Sequence, residues 1–219
     1  MIILPESLRL YLVTDRSLAA GRSLTEIVLA AVAGGVTIVQ IRDKDATTRD
    51  FVEQGRSLKA ALTGFHVPLI VNDRLDVAQA IGADGVHLGD DDMPCDAARL
   101  ILGPTAIIGV SLTSTQGDAA KDTNADYFAV SPVFTTGTKP DAGPALGLAG
   151  VETLRRTVRR PLVAIGGIDR HNAAGIIAAG TDGIAVISAI ISADDPESAA
   201  ADLRNQVDAA LRRLAPSPR

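Results

Sequence analysis

The strongest constraint on the fold is a regular alternation of short apolar segments with alanine-rich segments along the chain. Each apolar segment has the length and composition of a strand buried on both faces of a parallel sheet, and the segments between them are typical of helices. The predicted strands span 8–13, 36–41, 68–72, 85–88, 106–111, 127–131, 161–165 and 183–188. Strands that each lead into a helix predict an α/β protein, a single (β/α)8 TIM barrel over 1–219. An open doubly wound sheet is the alternative.

A short internal echo favours the barrel. It precedes every second predicted strand, as a quarter-barrel repeat would, and consists of Ala33-Gly34-Gly35, Gly82-Ala83-Asp84, Asn124-Ala125-Asp126 and Gly180-Thr181-Asp182. Ser23 and Glu26 have the spacing of a capping box at the start of the first helix. We expect the last helix to span about 196–214 and the tail 215–219 to be frayed. No composition shift indicates a second domain.

Composition excludes several classes of protein. Of the 219 residues, 47% are hydrophobic, which is enough for a sizeable core, and the net charge of -5 argues against a dedicated nucleic-acid binder. No apolar run reaches the length of a membrane span, and the N-terminus does not resemble a signal peptide. The single Cys95 excludes an intrachain disulfide. We expect a cytoplasmic protein without nucleic-acid or membrane partners, and the sequence leaves homo-oligomerisation open.

Polar residues follow almost every predicted strand, where the active site of a TIM barrel lies. After the second strand come Gln40, Arg42 and Lys44, which share one face of an extended chain because they are two residues apart. Two cations and an amide that converge at a strand end suit a substrate with several negative oxygens.

Two carboxylates from adjacent strand ends, Asp73 and Asp92, predict a metal site. Hard oxygen ligands beside basic residues suit Mg²⁺ bridging a diphosphate. The alternative for Asp73 is a helix N-cap. The alternative for the triple Asp90-Asp91-Asp92 is a solvated acidic turn, and we expect at least one of the three to be just that.

Two further segments suit phosphate binding. Gly166-Gly167, after the seventh strand, exposes backbone N–H groups, and Ser188 ends the predicted eighth strand beside it. The polar loop 135–143 contains Lys139 and several hydroxyls, and its length favours an active-site lid over a surface loop. For His87, within the fourth strand, we expect a buried, hydrogen-bonded side chain rather than a metal ligand.

Taken together and in order, these segments resemble the thiamine-phosphate synthase (thiamine-phosphate pyrophosphorylase) family over roughly 9–192. The matching segments are Tyr11-Leu12-Val13-Thr14-Asp15, Gln40-Ile41-Arg42-Asp43-Lys44, Asn72-Asp73-Arg74, Gly85-Val86-His87-Leu88-Gly89, Gly109-Val110-Ser111, Thr136-Gly137-Thr138-Lys139, Ala164-Ile165-Gly166-Gly167-Ile168 and Ala185-Val186-Ile187-Ser188-Ala189-Ile190.

The resemblance implies an enzyme that joins 4-amino-5-hydroxymethyl-2-methylpyrimidine diphosphate to 4-methyl-5-(2-phosphoethyl)thiazole, uses Mg²⁺ and releases pyrophosphate. It implies that Asp73 and Asp92 bind Mg²⁺. Residues implied to hold the pyrimidine diphosphate are Gln40, Arg42, Lys44, Asn72, Ser111 and Lys139, of which Arg42, Lys44, Ser111 and Lys139 are the expected catalytic residues. Residues implied to hold the thiazole phosphate are Thr136, Thr138, Gly167, Ile187 and Ser188.

The chain departs from the family's usual pattern at three positions, Asp90, Thr113 and Ser131, all expected near the pocket. Related thiazole tautomerases tend to lose the diphosphate and metal groups, whereas this chain retains them. A tautomerase-like or other phosphate-binding barrel enzyme, such as a sugar-phosphate isomerase, is the first alternative. A non-catalytic phospholigand sensor of the thiamine pathway is the second.

Overall fold

The computed structural model describes residues 5–114, 124–137 and 143–214, and in this part of the chain parallel strands close into a barrel in chain order. Closure follows from β1, which pairs with β2 on one side and with β8 on the other. The strands are β1 Leu10–Val13, β2 Ile38–Ile41, β3 Leu69–Asn72, β4 Gly85–Leu88, β5 Ile107–Leu112, β6 Tyr127–Val130, β7 Leu162–Ile165 and β8 Gly183–Val186. The predicted TIM barrel is confirmed, and the open doubly wound sheet is wrong.

Helices connect the strands on the outside of the barrel. They are α1 Leu24–Ala33, α2 Thr48–Ala61, α3 Leu75–Ile81, α4 Cys95–Leu102, α5 Gly147–Thr157, α6 Ala173–Ala178, α7 Ser188–Ile191 and α8 Pro196–Leu214. The connection from β5 to β6 contains 115–123, which lie outside the described residues, as does the predicted frayed tail 215–219. No helix in the described ranges combines the length and apolarity needed to cross a membrane.

Local sequence signals set several of these boundaries. The Ser23 hydroxyl accepts a hydrogen bond of 3.3 Å from the backbone N–H of Glu26, which caps the start of α1. Helix α2 is capped in the same way as α1, because the side chain of its N-cap Thr47 accepts a hydrogen bond from Asp50 N. The last helix, α8, has the predicted bounds.

Several strand ends differ from the prediction: β2 begins at Ile38 rather than at residue 36, some other ends shift by one residue, and the start of β1 and the end of β8 differ for an identifiable cause. Residue Leu8 belongs to a 3-10 helix over Pro5–Leu8, so β1 begins only at Leu10. The backbone of Ile187 leaves the extended region, with φ -118° and ψ -81°, and Ser188 is therefore the first residue of α7 rather than part of β8. Apolar composition alone did not reveal this turn, because Ile187 continues the apolar pattern of the strand.

Alternation along the strands separates two apolar cores. Tyr11 and Val13 of β1 pack inside the barrel with residues such as Ile38 and Ile70. The intervening Leu10 and Leu12 pack outside, between the sheet and the helices. Because every strand is buried on both faces, the strands read as nearly continuous apolar runs.

The echo in the sequence corresponds to a repeated contact at the amino-terminal end of the barrel, which we call the aspartate clamp. In each clamp an aspartate that precedes an even strand accepts a backbone N–H from the preceding odd strand and pairs with a basic side chain of the helix that comes before that odd strand. The three clamps are Asp84 with Leu69 N and Lys59, Asp126 with Ile108 N and Arg99, and Asp182 with Leu162 N and Arg155.

The fourth quarter of the barrel has no carboxylate in this place, and the backbone N–H of Leu10 in β1 donates instead to the hydroxyl of Thr37 at 3.1 Å. There Arg204 of α8 donates to the carbonyl oxygen of Gly35 at 3.0 Å. A Cβ on Gly34 would lie 2.2 Å from the carbonyl oxygen of Glu197, so glycine is required where α8 crosses this turn. The predicted quarter-barrel repeat therefore has a physical basis in how each helix is fastened to the next pair of strands.

Replacing Asp126 by Ala should lower the free energy of unfolding by about 2–3 kcal/mol, because one partly buried carboxylate serves both a backbone N–H and Arg99. The distances are 2.8 Å to Ile108 N and 2.7 Å to Arg99 Nη2. Urea denaturation would measure the loss, with Asp202→Ala on the exposed face of α8 as the matched control. Equal stability of the two variants would contradict a structural role for the clamp.

Candidate active site

The predicted site residues converge on one cavity of about 220 Å³ at the carboxyl-terminal ends of the strands. All the candidates that the structure describes line it: Gln40, Arg42, Lys44, Asn72, Asp73, Asp92, Ser111, Thr136, Gly167, Ile187 and Ser188. The remaining two candidates, Thr138 and Lys139, lie outside the described residues. Barrel closure brings these side chains together from strands that are far apart in sequence.

The end of β1 holds Arg42 in place. The backbone N–H of Arg42 donates to the buried hydroxyl of Thr14 at 3.0 Å, and its guanidinium lies 3.7 Å from the carboxylate of Asp15. Asp15 is itself fixed by the backbone N–H of Ser17 at 2.9 Å. The sequence analysis included Thr14 and Asp15 in the first segment that resembles the family but did not identify them as the residues that orient Arg42.

The predicted carboxylate pair is formed in the structure. Asp73 and Asp92 interact through their side chains, while the Asp92 carboxylate also accepts the backbone N–H of Gly89 at 2.6 Å. Burial first, and then the hydrogen bond and the charge of Asp92, raise the pKa of Asp73 from 3.8 to about 6, while Lys44 and Arg42 oppose the shift. The two carboxylates repel each other unless a proton or a cation lies between them.

The alternative role for Asp73, a helix N-cap, is wrong. The N-cap of α3 is Arg74, and Asp73 adopts a left-handed backbone with φ 61°. A non-glycine residue in this conformation is strained and is over-represented at functional sites. Its backbone N–H donates to the carbonyl oxygen of His87 at 2.9 Å, which fixes Asp73 against the neighbouring strand.

The donor set fits a magnesium ion held jointly by protein and substrate. Among the described residues no group of three or more His, Cys, Asp or Glu side chains is arranged to hold a metal. Mg²⁺ ordinarily keeps several waters and binds through one or two carboxylates plus substrate phosphates, so Asp73 and Asp92 suffice for this ion. The exposed Asp91 belongs to the solvated part of the acidic turn.

The glycine pair after β7 has a packing role as well as an exposed backbone. Gly166 and Gly167 have φ of 106° and 64°, and a Cβ on Gly167 would lie 2.8 Å from Phe134 Cβ and from the carbonyl oxygen of Thr135. The absence of side chains at the two glycines therefore leaves room for the segment that follows β6. A hydrogen bond of 3.0 Å from Phe134 N to Gly166 O holds that segment in place. The sequence analysis proposed only phosphate binding for this glycine pair and did not predict that neighbouring residues need the space.

A buried polar chain crosses the barrel interior beneath the cavity. It runs from Gln40 Nε2 to Tyr11 Oη at 2.7 Å, to Tyr127 Oη at 2.9 Å, to His87 Nδ1 at 3.0 Å, and from His87 Nε2 to Ser111 Oγ at 3.0 Å. The prediction for His87, a buried and hydrogen-bonded side chain, is confirmed. Sequence reasoning missed Tyr11 and Tyr127 as parts of the site, although alternation with Val13 places Tyr11 on the inward face.

Two departures from the family pattern contact each other. The hydroxyl of Thr113 donates to the carboxylate of Asp90 at the rim of the cavity. Ser131, the third departure, lines the cavity beside Pro132. The substitutions at 90 and 113 thus form one local pair rather than two independent changes.

A larger cleft of about 480 Å³ lies outside the barrel, between α2 and the segment that follows β1. It is lined by Arg16, Arg22, Asp50 and Glu53 among others, and by none of the predicted site residues. Its size does not make it the active site, because the paired carboxylates, the oriented arginine and the buried polar chain all meet in the smaller cavity.

These features define a class of protein, a TIM-barrel enzyme whose cavity suits a ligand with several phosphate oxygens. The sequence matches the family described as thiamine monophosphate synthase over residues 10–190. The chain belongs to this family.

Relatives in other organisms agree over nearly the whole length. The chain is 50% identical to the thiamine-phosphate synthase of Albidiferax ferrireducens, over 93% of this chain and 94% of that protein. It is 54% identical to the thiamine-phosphate synthase of Xanthobacter autotrophicus, over 94% and 98%. The solved thiamine phosphate pyrophosphorylase from Pyrococcus furiosus superposes with a TM-score of 0.86 at 40% identity, covering 95% of this chain and 100% of that structure.

Without added metal, Asp73 should make the protein less stable as pH rises from 3.8 to about 6. Its raised pKa means that the folded state binds more protons than the unfolded state across this window, so the folded state loses free energy as the carboxylate ionises. Asp73→Asn should remove this component. The measurement is the free energy of unfolding with a chelator present, compared between wild type and variant at several pH values. A difference between the two proteins that stays constant with pH would contradict the assignment.

Proposed function

We propose that this chain is a transferase that condenses 4-amino-5-hydroxymethyl-2-methylpyrimidine diphosphate with 4-methyl-5-(2-phosphoethyl)thiazole to give thiamine phosphate and pyrophosphate. The observation that carries the proposal is the meeting of Arg42 and Lys44 with the Asp73–Asp92 pair in one cavity. Membership of the thiamine monophosphate synthase family supports the same reaction. The direct test incubates the protein with both substrates and Mg²⁺ and detects thiamine phosphate and pyrophosphate as products.

The cavity offers a separate place to each substrate. The pyrimidine diphosphate takes the side formed by β2, β3 and β5, where the residues proposed to bind it are Gln40, Arg42, Lys44, Asn72 and Ser111, with Lys139 from the loop after β6. The thiazole phosphate takes the opposite side, where the residues proposed to bind it are Thr136, Thr138, Gly167, Ile187 and Ser188. The strand order around the closed barrel supports this division.

In this reaction the bond between the pyrimidine methylene carbon and the diphosphate oxygen breaks, and the diphosphate leaves with the electron pair. The thiazole nitrogen then forms the new C–N bond to that carbon. Arg42, Lys44 and Lys139 stabilise the negative charge that develops on the leaving group. Mg²⁺, held by Asp73 and Asp92, supplies further charge neutralisation at the diphosphate when it is bound.

The protein's own contribution is orientation. Thr14 and Asp15 hold Arg42 before the substrate arrives, so little reorganisation is needed when charge develops. Placing both substrates in one cavity converts an encounter between two molecules into a reaction within one complex. The reaction uses no side-chain nucleophile, and Ser111 is proposed to contribute through hydrogen bonding. The acidic net charge of -5 and the single cysteine support a cytoplasmic enzyme that acts on small molecules.

Asp73→Asn and Asp92→Asn should each abolish most Mg²⁺-dependent turnover while the protein stays folded. Each variant removes one of the two anionic oxygens available to the ion. Asp91→Asn is the matched control, because Asp91 lies in the same turn with an exposed side chain. Magnesium titrations of the initial rate compare the four proteins. Wild-type activity in both test variants would remove the metal assignment.

Arg42→Ala should cost about 2–4 kcal/mol of transition-state stabilisation, the size typical of a preorganised electrostatic contact. The loss should appear in kcat more than in KM, since the charge that Arg42 neutralises develops mainly as the C–O bond breaks. Arg42→Lys should restore only part of the rate, because lysine lacks the bidentate fork.

Single-turnover rates at saturating substrate measure these effects, and Arg49→Ala on the exposed start of α2 serves as the control. A purely KM effect in Arg42→Ala would show that the residue contributes binding rather than stabilisation of the leaving group.

A further inference from the structure

The polar chain beneath the cavity has a hidden central member. Gln40, Tyr11, His87 and Ser111 all line the cavity, whereas Tyr127 is fully buried and does not. Tyr127 nevertheless connects the two halves of the chain, because its hydroxyl contacts both Tyr11 Oη and His87 Nδ1. Any effect of the Tyr127 hydroxyl on a ligand must therefore pass through its neighbours.

Each tyrosine hydroxyl has one proton to donate, so only two directions of the chain give both of these buried protons an acceptor. Gln40 Nε2 donates to Tyr11, and Tyr11 must then donate to Tyr127 and Tyr127 to His87 Nδ1. His87 consequently carries its proton on Nε2 and donates it to Ser111 Oγ. The reverse direction requires the Gln40 amide to rotate and the His87 proton to move to Nδ1.

Both tyrosine hydroxyls stay protonated, so each keeps the single proton that it can donate. Burial raises the pKa of Tyr11, and burial together with the neighbouring Tyr11 raises the pKa of Tyr127 well above its ordinary value. The fold also makes room for the central ring, since a Cβ on Gly109 of β5 would lie 2.0 Å from Tyr127 Cζ and 2.3 Å from its Oη. A glycine within a strand is unfavourable, so its presence here marks a requirement for the tyrosine.

We propose that Tyr127 is a positioning residue that fixes the direction of this chain and so sets which atoms of Gln40 and Ser111 face the pyrimidine. In the direction that follows from the Gln40 Nε2 contact with Tyr11, Gln40 keeps its Oε1 as an acceptor and Ser111 keeps its O–H as a donor. A 4-aminopyrimidine matches this pattern, because its exocyclic amine donates and its ring nitrogen accepts. The 4-oxo analogue places a carbonyl oxygen against Gln40 Oε1 and is rejected. This inference rests on the proposed function for the identity of the ligand.

Loss of the Tyr127 hydroxyl should allow the Gln40 amide to adopt either orientation. In Tyr127→Phe the Tyr11 hydroxyl can donate to a rotated Gln40 amide, whose NH₂ group then accommodates the oxo analogue. Binding of the aminopyrimidine diphosphate should weaken on the order of tenfold, the usual consequence of a buried polar group losing its partner. The preference for the amino over the oxo compound should fall by on the order of tenfold or more.

The experiment measures calorimetric binding of the 4-amino and 4-oxo pyrimidine diphosphates in the presence of Mg²⁺ and the absence of thiazole phosphate. The proteins are wild type, Tyr127→Phe, Tyr11→Phe, the double variant, and Ile70→Val as a packing control from the same inner core. The double variant should lose no more selectivity than Tyr127→Phe alone, because both hydroxyls belong to one chain. Thermal melting verifies that each variant is folded.

The positioning role of Tyr127 is contradicted if wild type binds both compounds equally, if Tyr127→Phe keeps the wild-type preference for the amino compound, or if Ile70→Val loses that preference as well. Failure of the proposed function has a separate signature, since it appears in the turnover assay as an absence of thiamine phosphate from wild type. Binding selectivity is measured without turnover. A protein that discriminates the two pyrimidines but forms no product would therefore support the positioning role of Tyr127 and contradict the proposed transferase activity.

Discussion

Closure of the barrel by the pairing of β1 with β8 is the constraint on which the rest of this structure depends. Once the parallel strands close, all their carboxyl ends meet around one axis, and residues from opposite ends of the chain become neighbours. The aspartate clamps secure the other end of the barrel by joining strand, turn and helix through single carboxylates. Stability contacts and site residues therefore occupy opposite ends, and the site can hold strained and mutually repelling groups.

The site concentrates features that a purely structural core would avoid. Asp73 is strained and faces a second carboxylate, and both lie beside Arg42 and Lys44. The barrel interior carries a chain of hydroxyl, imidazole and amide groups where aliphatic residues would pack with fewer constraints. Every member of that chain has a partner within 3.0 Å, which is what makes burial of these polar groups tolerable. The cost of burying them is consistent with a role in fixing ligand contacts.

Much of the site could be predicted because it is built on strand ends. Gln40, Asn72 and Ser111 follow directly from strand assignment, and a TIM barrel collects such positions at one face. The orienting role of Asp15 could not be predicted, because it depends on how β1 lies against β2 after closure. The packing role of Gly167 likewise depends on the path of Phe134 and Thr135, which come from a different strand end. The turn at Ile187 was missed because its side chain is apolar.

The sequence by itself determined the alternation of elements, the barrel that it implies, and the types of residue at the strand ends. It also contained the quarter-barrel echo, since the clamp aspartates are local to each turn. Only the tertiary structure decided that the clamps are ion pairs, that the side chains of Asp73 and Asp92 contact each other, and that Tyr11, Tyr127 and His87 form one chain. The physical reason is that periodicity reports which face a residue occupies, whereas distances between residues on different strands are fixed only when the barrel closes.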